Sequence, residues 1–192
     1  NASRVFANNG GNPVVLSGMT IAQGNGQSPI VNGSGGAILN LAGSLVILEC
    51  NVIGSSAPSG GGISNGAGIL LVLNSTIAGN EASGSESGGG IDNTLGELTI
   101  INSTISGNDA GNGAVNGGGL WTNGPDVLIT NSTITNNSAA GASSASGIFM
   151  EGGTVRLRNS IVAGNVNNAV RADVVVTAGN NVTSEGWNLI GN

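Results

Sequence analysis

The chain is expected to fold as an all-β, right-handed parallel β-helix of about seven turns with three short strands per turn. Three observations predict this. First, one pattern, apolar-x-apolar-x-Asn-Ser-x-apolar-x-x-Asn, recurs at Leu70–Asn80, Leu98–Asn108, Val127–Asn137 and Val155–Asn165. Second, the apolar residue of its Ser-x-apolar step recurs as Ile21, Ile53, Ile77, Ile105, Ile134, Val162 and Leu189, at intervals of 24 to 32 residues. Third, Gly or Ala precedes Ile38, Ile63, Ile91, Leu120 and Ile148, at intervals of 25 to 29 residues. A fixed period of this size is the mark of a stacked-repeat fold. Nowhere is there a sustained 3.6-residue apolar period, and 36 glycines are too many for stable helices.

Each turn divides into three strands. Strand A is the Gly-Gly-Ile-x-Asn segment, as in Gly89–Asn93. Strand B is the Leu-x-Ile segment, as in Leu98–Ile100. Strand C is the Ser-Thr-Ile segment, as in Ser103–Ile105. Such a unit cannot bury its own apolar face, and stacking on its neighbours does so. Seven turns at about 4.8 Å each make a rod on the order of 33 Å long, and parallel crossover connections are right-handed by default. The whole chain, 1–192, reads as one such domain, a fragment or processed subunit with uncapped ends.

Strand alternation assigns faces. On strand B the inward pairs are expected to be Val14/Leu16, Val46/Leu48, Leu70/Val72, Leu98/Ile100, Val127/Ile129 and Val155/Leu157. On strand C the inward column is the series beginning at Ile21. Between the two strands stands a bend column, Asn74, Asn102, Asn131 and Asn159, with Gly18 and Cys50 at its place in the early turns. Asn tolerates the left-handed conformation, and its amide can bond to the copy one turn away. These asparagines are expected to be buried, which makes the sequons at 74, 102 and 131 poor glycan acceptors. Cys50 reads as a small buried bend residue; its neighbour is Glu49, not the cation a reactive thiol needs. The segments 23–35, 54–62, 80–90, 108–119 and 137–146 read as loops on one edge of the rod.

The outward positions carry the candidate sites. On strand B, Ile47, Leu71, Leu73, Ile101 and Leu128 are expected to form an apolar outer row, interrupted by Glu49, Thr99 and Thr130. Large exposed apolar patches mark contact surfaces. On strand A, Trp121 and Phe149 are expected to be stacked outward neighbours, covered by a loop or a partner, or else a sugar platform. On strand C, Thr20, Thr76, Thr104 and Thr133 make an outward file. Ice binding is a remote reading of that file, weakened where Val52 and Ile161 break it.

Chemistry has few candidates. The net charge of −6 disfavours nucleic acid. No apolar run is long enough for a transmembrane helix. Lys, His and Tyr are absent, and the single Cys cannot form an intrachain disulfide. Glu97 with Asp126, and Glu81 with Asp109, share repeat positions and could hold a cation weakly; simple solvated acids are the plainer reading. Gly runs at 60–62, 88–90 and 117–119 lack the Lys-Ser/Thr and the helix of a phosphate loop. No catalytic, cofactor or metal residue is therefore assigned, and the chain is expected not to be an enzyme.

These motifs, with Asn159-Ser-Ile-Val-Ala-Gly-Asn165 and Gly186-Trp-Asn-Leu-Ile-Gly191 near the end and Leu16-Ser-Gly-Met-Thr-Ile21 near the start, resemble bacterial surface proteins with right-handed parallel β-helix repeats, of the choice-of-anchor and polymorphic outer-membrane-protein-like type. The resemblance implies an extracellular or cell-surface stalk or passenger without catalytic residues. Expected partners are further copies of the chain, end to end or through the outer strand-B face, or surface glycans. A carbohydrate-binding or carbohydrate-degrading module is the alternative.

Overall fold

The computed structural model describes residues 3–26, 33–84, 87–111, 117–141, 145–167, 170–171 and 173–191. The strands stack into three seven-stranded sheets. Sheet A is built from Phe6–Asn9, Ile38–Ala42, Ile63–Asn65, Ile91–Asn93, Leu120–Thr122, Ile148–Met150 and Val174–Val176. Sheet B contains Val14–Ser17, Ser44–Leu48, Ile69–Leu73, Glu97–Ile101, Asp126–Thr130, Thr154–Arg158 and Asn181–Ser184. Sheet C contains Thr20–Ala22, Asn51–Ile53, Thr76–Ala78, Thr104–Ser106, Thr133–Thr135, Ile161–Val162 and Leu189–Ile190. Neighbouring strands within each sheet are parallel and nearly all in unbroken register. Each chain turn visits A, B and C once and then steps up one rung.

The inward residues of the three sheets meet in one core. Sheet A supplies Ile38, Ile63, Ile91, Leu120 and Ile148. Sheet B supplies Leu45/Ile47, Leu70/Val72, Leu98/Ile100, Val127/Ile129 and Val155/Leu157. Sheet C supplies Ile21, Val52, Ile77, Ile105, Ile134 and Val162. Burying each such side chain stabilises by about 1.5–3 kcal/mol, and a stack of them offsets the ordering of a glycine-rich backbone.

Register in the second turn differs from the expected one by a single residue. Leu45 and Ile47 align with Leu70 and Val72, so Val46 and Leu48 point out and Ile47 is fully buried. On sheet C, Val52 aligns with Ile77 and Ile53 is 36% exposed. In the last turn Ile190, not Leu189, aligns with Val162. The cause is the bend residue. Glu49, with φ of 53°, takes the left-handed place beside Gly18, Asn74, Asn102, Asn131 and Asn159, whose φ lies between 48° and 67°. Cys50 therefore stands at the position of Ser75, one residue later. Because side chains alternate, one residue of slip turns a whole strand over.

The bend asparagines themselves are exposed, contrary to expectation. Among the described residues, one side-chain bond joins them, from Asn102 Nδ2 to Asn74 Oδ1 at 3.3 Å. The sequons at 74, 102 and 131 consequently lie on the surface. The buried amides are elsewhere. On sheet A, Asn8, Asn40, Asn65 and Asn93 each donate from Nδ2 to the next rung, at 2.7–3.0 Å, ending on Thr122 Oγ1. After sheet C, Asn80, Asn108 and Asn137 each donate both the backbone N–H and Nδ2 to the next Asn Oδ1, at 2.9–3.1 Å. A third column runs through Ser75, Ser103, Ser132 and Ser160, each hydroxyl oxygen accepting the backbone N–H of the preceding rung. These ladders satisfy polar groups at both corners of sheet C, where an unpaired buried donor would cost about 1–3 kcal/mol.

The glycine runs close the turn. The connections leaving sheet C run outward along Ser56, Glu81, Asp109, Ser138 and Val166, which are in register, and return through the glycines onto sheet A. In the run Gly88–Gly90 each glycine is required for its own reason. A β-carbon on Gly88 would overlap the Ile91 carbonyl; on Gly89 it would sit 2.6 Å from the Asp109 carbonyl carbon; on Gly90 it would press on the Asn108 amide at 3.0 Å.

Candidate functional site

Two outer faces carry large apolar side chains, and the structure treats them differently. On sheet B the central outward file is Val15, Val46, Leu71, Thr99, Leu128, Arg156 and Thr183. Beside it run Leu48, Leu73, Ile101, Thr130 and Arg158. Of the residues expected in this row, Leu71, Leu73, Ile101 and Leu128 lie on it, half-buried by one another. Ile47 does not; Val46 and Leu48 replace it. The edge adds Ile69, 52% exposed. No described segment lies over this face.

The face changes character toward the carboxyl end. Arg156 donates from Nε and Nη2 to Asp126 at 3.2 and 2.5 Å, and this contact raises the guanidinium pKa further. Arg158 pairs with Glu185 at 2.9 Å. Asp126, one rung on from Glu97, is thus engaged by Arg156. Over the first five rungs the face is mostly aliphatic, with Thr99 and Thr130 set into it, and over the last two it is polar, with the charges of Arg156 and Arg158 paired inside the chain.

On sheet A the outward file is Ala7, Leu39, Ser64, Asp92, Trp121, Phe149 and Val175. Trp121 and Phe149 are stacked neighbours, as expected, but they are 4% and 2% exposed. They form a small second cluster with Ala145 and Val175, under the returning loops. Of the two expectations for these rings, a covered pair and an exposed sugar platform, the structure has the covered pair. Trp121 Nε1 and Ser146 Oγ are buried there without a hydrogen-bond partner. The same layer holds Asp92, 1% exposed. Thr94 Oγ1 donates to its Oδ1 at 2.9 Å, and Ser59, on the returning loop of the turn before, donates to its Oδ2. Burial pushes the Asp92 carboxyl up, against the pull of those two hydroxyls.

The remaining candidates are dispersed. Glu81 and Asp109 are one rung apart and exposed, and Ser138 donates to Asp109 Oδ1 at 3.0 Å. A cleft of about 250 Å³ beside them is lined by Asn25, Ser56, Ala57, Pro58, Glu81 and Ser83. Among the described residues no three His, Cys, Asp or Glu side chains come together. Cys50 is buried and unpaired in a disulfide; its thiol donates to the Leu48 carbonyl at 3.2 Å. On sheet C, Thr20, Asn51, Thr76, Thr104, Thr133 and Ile161 form the outward file, so Asn51 rather than Val52 interrupts the threonines.

Sequence reasoning missed the two buried asparagine ladders. The signal was present. From Gly54 to Gly164 each left-handed corner of sheet C is followed at once by an inward polar residue: Asn74 by Ser75, Gly79 by Asn80, Asn102 by Ser103, Gly107 by Asn108.

No curated protein and no solved structure matches the chain. A family model, described as right handed beta helix region, matches residues 3–188. With parallel strands stacked in three sheets and a match over nearly its full length, the chain belongs to the right-handed β-helix family.

Proposed function

We propose that this chain is a non-enzymatic structural module of a bacterial surface or secreted protein, a rod that associates through the outer face of sheet B with further copies of itself. The observation that carries this reading is the apolar row Val46, Leu48, Leu71, Leu73, Ile101 and Leu128, which no described segment covers. Aliphatic side chains on an outside face are stable in water only at a cost that a contact surface removes. The dispersal of the acids, and the pairing of Asp126 with Arg156, support a structural role over acid–base chemistry. Sedimentation velocity across a concentration series tests it. Association that Leu71→Asp abolishes is expected; a wild-type chain that stays monomeric throughout overturns the reading.

The polar cleft beside Glu81 favours a second reading, a carbohydrate-binding module. Its lining of amide, hydroxyl and carboxylate groups suits sugar hydroxyls, although no aromatic ring lines it. A glycan array with wild type and Glu81→Ala distinguishes the two: binding lost in the variant would put this reading first.

A further inference from the structure

We propose that Asp173 is a terminator built into the rod, a carboxylate that occupies the next acceptor place in the amide ladder and so closes that ladder within the chain. The argument begins with the column just before sheet A. Ile38, Ile63, Ile91 and Leu120 each donate a backbone N–H to the residue in that column one rung on, and those residues are Gly62, Gly90, Gly119 and Gly147. Ile148 donates in the same way to Asp173. Asp173 therefore stands where the earlier turns have glycine.

Those glycines leave room for the ladder. A β-carbon at Gly90, Gly119 or Gly147 would crowd the amide of Asn108, Asn137 or Asn165 at 2.9–3.0 Å. Asp173 uses that same space for its own side chain. The Asn165 N–H and Nδ2 donate to Asp173 Oδ1 at 2.8 and 2.7 Å, matching the two donations that Asn137 makes to Asn165. The carboxylate copies the acceptor half of an asparagine side chain and lacks the donor half. Every rung of this ladder passes two donors toward the carboxyl end, and the Asp side chain accepts but has no Nδ2 to donate onward. Its second oxygen, Oδ2, is buried without a partner, and a β-carbon on Gly191 would strike it. The place is full and the relay stops.

The other columns are closed inside the chain as well. The sheet A ladder ends where Thr122 Oγ1 accepts from Asn93 and from the Gly124 N–H, and Met150 fills the following rung. The serine column ends on Asn188 Oδ1, which accepts the Ser160 N–H at 2.8 Å. At its other end the Asn80 ladder finishes on Ser55, whose hydroxyl oxygen accepts the Gly24 N–H. A solenoid that passes its ladders outward invites further strands. This one keeps its amide columns to itself, so a second copy cannot join by continuing them past Asp173. That holds whether or not sheet B is a contact face.

The test is amide hydrogen exchange at Asn165 in wild type, Asp173→Asn and Asp173→Leu, at a temperature where the amides of 98–101 stay protected. Asp173→Asn keeps the acceptor, and Asn165 is expected to stay within about threefold of wild type. Asp173→Leu fills the space without an acceptor, and exchange at Asn165 is expected to rise roughly tenfold or more. If Asp173→Leu loses the whole fold, Asp173→Ala, which has no side-chain acceptor, takes its part with the same expected rise. Unchanged protection in the variants without an acceptor would overturn the proposal, since space-filling alone would then explain Asp173. So would wild-type rods joined carboxyl end to amino end in negative-stain images, a result that leaves the structural reading of the chain intact.

Discussion

The outer faces of sheets A and B are both apolar, yet one is inside the protein and the other is not. On sheet A, Leu39, Trp121 and Phe149 lie under the chain's own returning loops, with Ser59 reaching across to Asp92. On sheet B, Leu71, Ile101 and Leu128 lie under nothing that the structure describes. The difference comes from the connections. The C-to-A connection is long and folds back through glycines that permit backbone contact, whereas the A-to-B and B-to-C connections are short corners with no chain left over to cover anything. An outward apolar file therefore means opposite things on the two sheets: second core on one, available surface on the other.

The largest effect should separate them directly. Trp121→Ala is expected to destabilise by about 3–5 kcal/mol, as for a large buried side chain, while Leu71→Ala, at a half-buried outer position, is expected to cost less, about 1–2 kcal/mol; urea unfolding of both monomers measures this. If Leu71→Ala were as damaging as Trp121→Ala, sheet B would be a core face in solution. The ladders below both faces come next. Asn108→Ala strands the backbone N–H of Asn80 and removes one of the two bonds its Nδ2 donates, the other going to the Val52 carbonyl, at about 1–3 kcal/mol, and the same unfolding curves report it. The exposed Asn102→Ala gives up no buried hydrogen bond, but Ala tolerates its left-handed angle of 49° poorly, so a loss of about 1–2 kcal/mol is expected.

Asp92 gives the covered face a pH signature. Its carboxyl pKa is raised in the folded state by burial. The protonated form is therefore favoured by folding, and this contribution is fully present below the unfolded value near 3.8 and is lost as pH rises through the folded value. Wild type relative to Asp92→Asn is expected to gain stability as pH falls from 7 toward 4. Melting temperatures at a series of pH values check it, and parallel curves for the two proteins would mean that Asp92 is solvated. The smallest effect on stability is expected from Leu128→Ser, within about 1 kcal/mol, yet it should weaken association measurably by sedimentation.

Much of this was readable from sequence. The rungs were, because stacked copies must repeat their inward residues at matching places, and Ile77, Ile105 and Ile134 do so without interruption. The second turn was not, since Glu49 rather than an asparagine holds the left-handed bend and the apolar run Leu45–Leu48 fits either parity. The two asparagines of each motif also look alike in sequence. Asn102 adopts the left-handed angle and faces water; Asn108 follows a left-handed glycine and faces in. Only the parity of the corner tells them apart. Cover over Trp121 was expected, but whether a loop or a partner supplies it was hidden for a different reason: it depends on contact between glycine backbones, which leaves no side-chain pattern.

The glycine triplets bear on one more property. They fix where each outgoing connection must land, and they do so whatever length of chain lies before them. Ala57 is followed by its landing glycines at 60–62, Ala82 by those at 88–90, and Ala110 by those at 117–119. The spans differ while the rungs keep their register. The rod thus acts as a rack with one slot per rung, where a segment can be lengthened or exchanged for another sequence without the neighbouring slots being disturbed.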